Sequence, residues 1–344
     1  GSMPKMEVVN LAFEKSVIST TLRQAINETL ASKHQVILFL NRRGFSYFFH
    51  CNSCGYELRC PNCAVSLTYH KGANQMVCHY CGYRSAPMKV CPECRSLDVS
   101  YSGFGTEMVE QEVRALFPQA RIERLDTDSA KQKGHVAKVL SDFRSGEIDI
   151  LLGTQMVAKG LNFPLVQLVG IVLADSGMNI PDFRAQERTF SLLVQVSGRA
   201  GRYNDQGRVI IQTFHPENPA IRYALEGNLE RFYEEELQVR KDTGFPPYSR
   251  LVNLVLRGRS KEKVERESEV LEGRFNQCAK EGKTEVLCTN ECPLEKIASN
   301  YRYHLLISGR EASETHHLVA TVLSTYTPPS GVYLEVDLDP LQLL

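Results

Sequence analysis

Gln35-Val36-Ile37-Leu38-Phe39-Leu40 is a nearly unbroken apolar run, closed by Asn41-Arg42-Arg43-Gly44. An apolar run of this length without polar alternation suits a strand buried on both faces of a parallel sheet. The polar tail then lies at the carboxyl end of the strand, the edge where open α/β sheets bind ligands. Upstream, residues 16–33 repeat apolar side chains at helical spacing (Leu22, Ile26, Leu30).

Downstream the same alternation is interrupted and then resumes. Val99–Phe104 reads as a strand ending in Gly105-Thr106, and Thr106 is placed to cap a helix over 107–116 that carries Glu107 and Glu110 in its first turn. Pro118 stops it. Strands are expected at 121–125, 148–152, 166–173 and 208–213, with helices at 136–143 and 183–196. Strand and helix alternate throughout, so the fold class is α/β, with a parallel sheet covered by helices on both faces. Residues 217–242 read as helical and highly charged, and Gly244-Phe245-Pro246-Pro247 marks a boundary. Beyond it, strands at 251–256, 301–308 and 332–336 alternate with helices at 260–280 and 311–324, a small α+β domain of split βαβ type.

The interruption is a cysteine insert. Cys51-Asn-Ser-Cys54, Cys60-Pro-Asn-Cys63, Cys78-His-Tyr-Cys81 and Cys91-Pro-Glu-Cys94 are four C-x2-C pairs. This spacing turns two thiolates toward one point, and two such turns make a tetrahedral four-thiolate zinc site. Gly55 and Gly82 follow two of the pairs and permit the positive φ that a metal-binding turn needs. Disulfides are the competing reading, but no secretory signal is visible, and reduced thiols favour metal. The first pair could join the second, third or fourth. Nesting is preferred, with Cys51, Cys54, Cys91 and Cys94 on one ion and Cys60, Cys63, Cys78 and Cys81 on the other. The 14-residue run Ala64–Val77 is long enough for a hairpin inside the inner site, and the outer site would staple the insert to its parent domain. His70 and His79 are expected on the surface. Tyr56, Tyr69, Tyr80 and Tyr83 could either stack on bases or pack the small module. Arg59, Lys71, Arg84 and Lys89 give the module a mildly basic balance.

Composition narrows the class further. The 344 residues suffice for two domains and a small module, and Lys plus Arg equals Asp plus Glu at 40 each, so bulk charge does not point to nucleic acid. No run is long enough to span a membrane, which leads to a cytoplasmic expectation. Gly1-Ser2-Met3 reads as a cloning scar, so the chain is expected to begin within a longer protein. Cys278, Cys288 and Cys292 lack metal spacing and read as ordinary thiols.

Two strings carry catalytic chemistry. Gln195-Val-Ser-Gly198-Arg199-Ala-Gly201-Arg202 places two guanidiniums three residues apart at the end of a helix. Forked cations set in advance are what phosphoryl transfer requires, and the glycines let the backbone approach a ligand. Gly153-Thr154-Gln155-Met156-Val-Ala-Lys159-Gly160-Leu-Asn162-Phe-Pro164 follows a buried strand directly, and Thr154 can donate to a nucleic-acid phosphate.

In this order and separation the two strings resemble motifs V and VI of superfamily 2 helicases. With Asn41-Arg42-Arg43-Gly44-Phe45, the eight cysteines, Gly105-Thr106-Glu107, Asp126-Thr127-Asp128 and Asp182-Phe183-Arg184-Ala185-Gln186-Glu187-Arg188, the chain resembles the PriA family of bacterial replication-restart helicases. The resemblance implies a RecA-like second helicase lobe carrying a double-zinc insertion, plus a C-terminal domain. The divisions expected are 1–50 and 95–228 for the lobe, 51–94 for the zinc module, 229–247 for a helical linker and 248–344 for the C-terminal domain.

By the same resemblance, Arg202 and Arg199 reach the ATP phosphates, with Arg202 the likelier finger. Gln195, Gly160 and Asn162 lie at the nucleotide, and Thr154 and Gln155 contact DNA. Asn162 stands where the family pattern has aspartate, and Glu285–Ala298 departs from a proline-rich stretch expected there. Implied too are two zinc ions, ATP with magnesium in the full-length protein, and 3′→5′ unwinding at stalled or branched forks. Single-stranded and fork DNA, single-stranded-DNA-binding protein and other primosome proteins are the implied partners, for a monomer. The sequence contains neither G-x-x-x-x-G-K-[ST] nor an Asp-Glu pair after a strand, so this chain alone is expected to hydrolyse no ATP. The alternative is a zinc-ribbon adaptor without motor activity, which would have no need of paired arginines behind a sheet strand.

Overall fold

The computed structural model describes residues 4–14, 16–40, 48–62, 65–70, 73–79, 81–101, 106–125, 134–153, 163–178, 180, 182–198, 207–279 and 283–343. A six-stranded sheet forms the centre. Its strands are β1 (Lys5–Asn10), β2 (Gln35–Phe39), β8 (Ile122–Leu125), β9 (Ile150–Gly153), β10 (Val166–Ile171) and β11 (Arg208–Thr213), in the order β1-β11-β10-β2-β9-β8. Every pairing is parallel.

Successive side chains on a strand point to opposite faces, so each central strand feeds two cores. Ile37, Phe39, Leu151, Val169, Val209 and Ile211 face one core with Phe143, Phe190 and Leu193. Val36, Leu38, Ile150, Leu152, Leu168 and Ile210 face the other, with Leu22, Ile26, Val109 and Val113. The helices supplying these partners are Thr20–Ala31 and Thr106–Leu116 on one side and His135–Arg144 and Ala185–Ser197 on the other. Gly170 sits where a Cβ would collide with Leu38 and Leu22, so a glycine lets the helix Thr20–Ala31 lie close on the sheet.

Four features differ from the sequence expectation. β1 is an added edge strand, paired with β11 from Lys5↔Arg208 to Asn10↔Thr213. Val99–Ser100 (β7) leaves the parallel sheet altogether and pairs antiparallel with His50–Cys51 (β3), closing the base of the cysteine insert. The charged segment expected to be helical divides into two helices, Pro219–Glu226 and Leu229–Thr243, because Gly227 adopts φ 64° and caps the first while Asn228 caps the second. Thr284–Ile297 is a 14-residue strand, β13, that the polar sequence did not announce.

β13 belongs to an antiparallel sheet of order β13-β14-β12-β15, where β12 is Arg250–Gly258, β14 Asn300–Gly309 and β15 Val332–Leu338. With the helices Lys261–Cys278 and Ala312–Ser324 this makes the β-α-β-β-α-β pattern, a split βαβ arrangement. Val252, Leu254, Leu256, Leu305 and Ile307 pack on Val264, Leu271, Phe275 and Val319 of the helices. Inside the insert, β4 (Thr68–His70), β5 (Gln75–Val77) and β6 (Arg84–Ser85) form a small antiparallel sheet.

The insert is not a separate bead. Phe49, Val65, Leu67 and Met76 share one core with Phe183 of the lobe and Phe245, Leu251, Leu306 and Leu343 of the C-terminal part. Among the described residues no helix is long and apolar enough to cross a membrane.

Candidate metal centre and nucleotide edge

Three of the C-x2-C turns share one backbone pattern. Gly55 N–H donates to Cys51 O, Gly82 to Cys78 O and Arg95 to Cys91 O, at 2.8–3.0 Å. The first cysteine of each turn in return donates its N–H to the carbonyl of Tyr56, Tyr83 or Ser96. The residue after the second cysteine takes positive φ in all three: Gly55 at 77°, Gly82 at 70° and Arg95 at 59°. The first two are the glycines that the sequence singles out, and Arg95 does the same with a side chain, at a cost of about 1 kcal/mol.

Cys51, Cys54, Cys91 and Cys94 converge, with all four Sγ atoms within 4.8 Å of one another. Cys51 and Cys94 Sγ are 3.5 Å apart, and Cys54 and Cys91 3.7 Å. A disulfide bond is about 2.05 Å long, so these are not bridges. A tetrahedral zinc with Zn–S bonds of about 2.3 Å puts neighbouring sulfurs about 3.8 Å apart, so the donor set fits that ion. Cys60, Cys78 and Cys81 form a second group, with Cys60 and Cys81 Sγ at 3.5 Å. Cys63, their expected fourth member, lies outside the described residues. The grouping follows the nested order.

Electrostatics in the outer cluster oppose four free thiolates. Burial pushes the Cys54 thiol up, with the neighbouring sulfurs adding to it. Burial also opposes ionisation of Cys91, but the backbone amides of Cys94 and Glu93 outweigh it and bring the group down to about 7. Cys51 and Cys91 are buried, Cys54 half-buried and Cys94 exposed, and a cation among the four sulfurs would hold them together as thiolates.

The module is tied to the carboxyl edge of the parallel sheet. His215, just past β11, bonds through Nε2 to Gly55 O at 2.9 Å, and the His50 and Phe214 rings meet edge-on at 5.0 Å. A Cβ on Gly55 would overlap the Phe214 side chain. Beside them Asp175 accepts from Thr213 Oγ1 at 2.9 Å and from Phe214 N at 3.1 Å. Burial raises this carboxyl above its usual value, against the pull of His215.

The same edge leads into the motor strings. β2 and β9 are neighbours, and they run into residues 41–44 and 154–162. Thr154, Gln155, Gly160, Asn162, Arg199 and Arg202 lie outside the described residues. Gln195 is exposed in the last turn of the helix Ala185–Ser197, which ends at Gly198.

One expectation for the insert is corrected. His70 and His79 are buried rather than superficial, because the hairpin packs against β13 and β14. Burial, with His304 and His70 beside it, holds His79 well below the usual histidine range. Tyr56 packs edge-on against Phe49 and Tyr69 lies on Tyr101 at 4.4 Å, so both serve the module's own packing. Tyr83 is exposed, and Tyr80 lies outside the described residues. Cys288 and Cys292 are buried thiols, and Cys288 Sγ donates to His79 O.

Sequence reading also missed what Asp182–Arg188 does. Asp182 accepts from Arg184 N–H and pairs with Arg188 at 3.0 Å. Arg184 donates to Pro340 O at 2.8 Å, and Arg188 to Leu341 O. Arg240 binds Glu187 at 2.5 Å and Glu236 at 3.0 Å. The string therefore clasps the end of the chain and the helix Leu229–Thr243. Its clustered arginines were the available signal.

Comparison with known proteins agrees with this geometry. The profile of the PriA DNA helicase Cys-rich region domain matches residues 60–85, that of the helicase conserved C-terminal domain 98–204, and that of the primosomal protein N C-terminal domain 241–341. The chain is 45% identical over 344 residues to the replication restart protein PriA of Treponema pallidum, covering 100% of this chain and 52% of that one. It is 37% identical to the protein of that name from Borreliella burgdorferi, over 98% of this chain and 51% of that one. It is 38% identical to that of Bacillus subtilis, over 99% and 43% respectively. The chain thus spans about half the length of the curated relatives it matches.

Proposed function

Because the chain belongs to the PriA family of replication restart proteins, we propose that it supplies the second motor lobe, the zinc module and the C-terminal domain of an ATP-driven 3′→5′ DNA helicase that restarts replication at stalled or branched forks. One observation carries the motor part of this reading: β2 and β9 are adjacent parallel strands whose carboxyl ends share one sheet edge, and Asn41–Gly44 and Thr154–Asn162 are the stretches that follow these strands in the sequence. That edge is where an α/β lobe takes ligands. An adaptor without a motor has no use for such an edge.

In this reading Arg202 and Arg199 neutralise charge on the ATP phosphates, with magnesium bound by the other lobe. Gln195, Gly160 and Asn162 adjoin the nucleotide, and Thr154 and Gln155 hold the DNA backbone. Cys51, Cys54, Cys91 and Cys94 hold one zinc ion, and Cys60, Cys63, Cys78 and Cys81 a second. Zinc supplies folding free energy to a module too small for a core of its own. The partners are single-stranded and branched DNA, single-stranded-DNA-binding protein and other primosome proteins, met by a cytoplasmic monomer.

The test is DNA-stimulated ATP hydrolysis by the full-length protein. Arg202→Ala is expected to slow it by about 10³-fold or more with DNA binding retained. An unchanged rate would remove the arginine from the mechanism and the motor role from this lobe.

A further inference from the structure

Behind the cysteine hairpin, the protein assembles a second set of metal-type donors. β4 brings His70 against β13, so that His70 Nδ1 lies 3.3 Å from Glu291 Oε2 and 3.5 Å from Glu295 Oε2. The three donor atoms lie within 4.8 Å of one another. The His70 side chain is 4% exposed, and its other ring nitrogen, Nε2, is 3.0 Å from His79 Nε2. Glu291 Oε1 is held separately, by Lys261 Nζ at 2.5 Å and Tyr303 Oη at 3.1 Å.

The two distances at Nδ1 are long for N–H···O bonds, which centre near about 2.9 Å. They are close to the edge of a coordination polyhedron, because ligand bonds of about 2.0–2.2 Å place tetrahedral neighbours about 3.4 Å apart. The histidine pair favours the same arrangement. A proton on His70 Nε2, donated to His79 Nε2, leaves the Nδ1 lone pair facing two carboxylates. Three electron-rich atoms then converge on one point, with the ring oriented from behind as in other histidine–metal sites. A cavity of about 370 Å³ lined by His70, His79, Glu291, Glu265, Glu269 and Glu272 gives access and room for water. Lys261 and Arg84 also face it.

We propose that His70 Nδ1, Glu291 and Glu295 form a divalent-cation site, completed by water, that pins the zinc hairpin to the C-terminal sheet. One imidazole with two carboxylates and water, and no thiolate, suits a hard ion such as Mn²⁺. Its ligands come from segments more than two hundred residues apart in the chain, His70 and Glu291–Glu295. The cation would lock the same interface that the histidines and Cys288 already line.

Mn²⁺ is the suitable probe because it binds N, O and S ligands more weakly than zinc does and leaves thiolate-held zinc in place. The zinc-loaded chain is titrated with Mn²⁺, and free Mn²⁺ is read by electron paramagnetic resonance, with zinc content measured in parallel. One bound Mn²⁺ per chain is expected, lost in Glu295→Gln and kept in Glu272→Gln. Glu295 is 48% exposed, so its variant should fold. No bound Mn²⁺ in the native chain overturns the proposal and leaves a plain histidine–carboxylate contact. Binding that survives Glu295→Gln, or that Glu272→Gln removes equally, also overturns it. Since zinc is counted separately, none of these outcomes bears on the cysteine clusters.

Discussion

Phe183 lies flat on Phe245, with ring centroids 4.9 Å apart and planes 9° from parallel. The Arg184 guanidinium stands 4.2 Å from the Phe183 centroid and that of Arg240 5.1 Å from it. One ring belongs to the loop ahead of a lobe helix, the other to the turn that opens the C-terminal part. The stack is thus a weld between the two, with the cysteine insert in the same core.

Phe183→Ala is expected to lower unfolding free energy by about 3 kcal/mol, the range for removing a buried aromatic. Phe245→Ala should cost a similar amount. The double variant should cost clearly less than the sum, because each single change already breaks the stack. Urea denaturation of the four proteins tests this, and strict additivity would mean that the rings do not act together.

Zinc stoichiometry checks the clusters. Elemental analysis after gel filtration should give two ions per native chain and one for Cys94→Ser, whose sulfur belongs to the outer group. A single ion in the native chain would rule out two four-thiolate sites. Chelation should also expose the shared core around Phe49 and Met76, measured as lost protection from hydrogen exchange there.

Gly55 and Gly82 hold the same place in two turns but have different neighbours. Both need positive φ, at 77° and 70°. Gly82→Ala meets only the Asn290 side-chain amide, at 3.5 Å, so the backbone term of about 1 kcal/mol should be most of its cost. Gly55→Ala must also displace Phe214, which adds about 2 kcal/mol. Equal losses in a melting experiment would show that the insert does not press on Phe214.

His304 is fully buried, and burial brings its pKa down from 6.5 to about 4, with Arg302 adding a smaller effect. Neither ring nitrogen has a hydrogen-bond partner. Above pH 6.5 both folded and unfolded forms are neutral here, and no pH dependence arises. As pH falls from 6.5 toward 4 the unfolded chain binds the proton first, so stability is lost through that window. At pH 5 the loss is about 2 kcal/mol. His304→Leu should remove it, so the stability difference between variant and native chain should shift by that amount in the variant's favour between pH 7 and pH 5. A difference independent of pH would mean that His304 does not titrate in this way.

Much of the motor lobe was legible because its signals are local. The run Val36–Leu40 is apolar at every position because both faces of the strand are covered, and Val209–Ile211 carries the same signature in β11. β1 was not legible: Lys5–Asn10 is mixed in polarity, and only its pairing with β11, some two hundred residues on, makes it a strand. β13 was hidden for a related reason. It pairs along one edge only, and its polar residues, Glu291 among them, bond sideways to the hairpin and to the helix Lys261–Cys278. The break at Gly227-Asn228 was present in the sequence as a cap signal, a glycine followed by an asparagine.

The sequence by itself determined the cysteine turns, since two residues between ligands, with glycine after the pair in two of them, specify backbone geometry within one loop. It also determined the alternation of strand and helix, which depends on side-chain periods of a few residues. Only the tertiary structure decided that the outer and inner sulfurs group in nested fashion, that Val99–Ser100 closes the insert instead of joining the sheet, and that His70 and His79 lie buried against β13 and β14. Each of these depends on contacts between segments far apart in the chain. Such contacts are set by which apolar surfaces and donor atoms meet once the local elements have formed, and no local spacing encodes that.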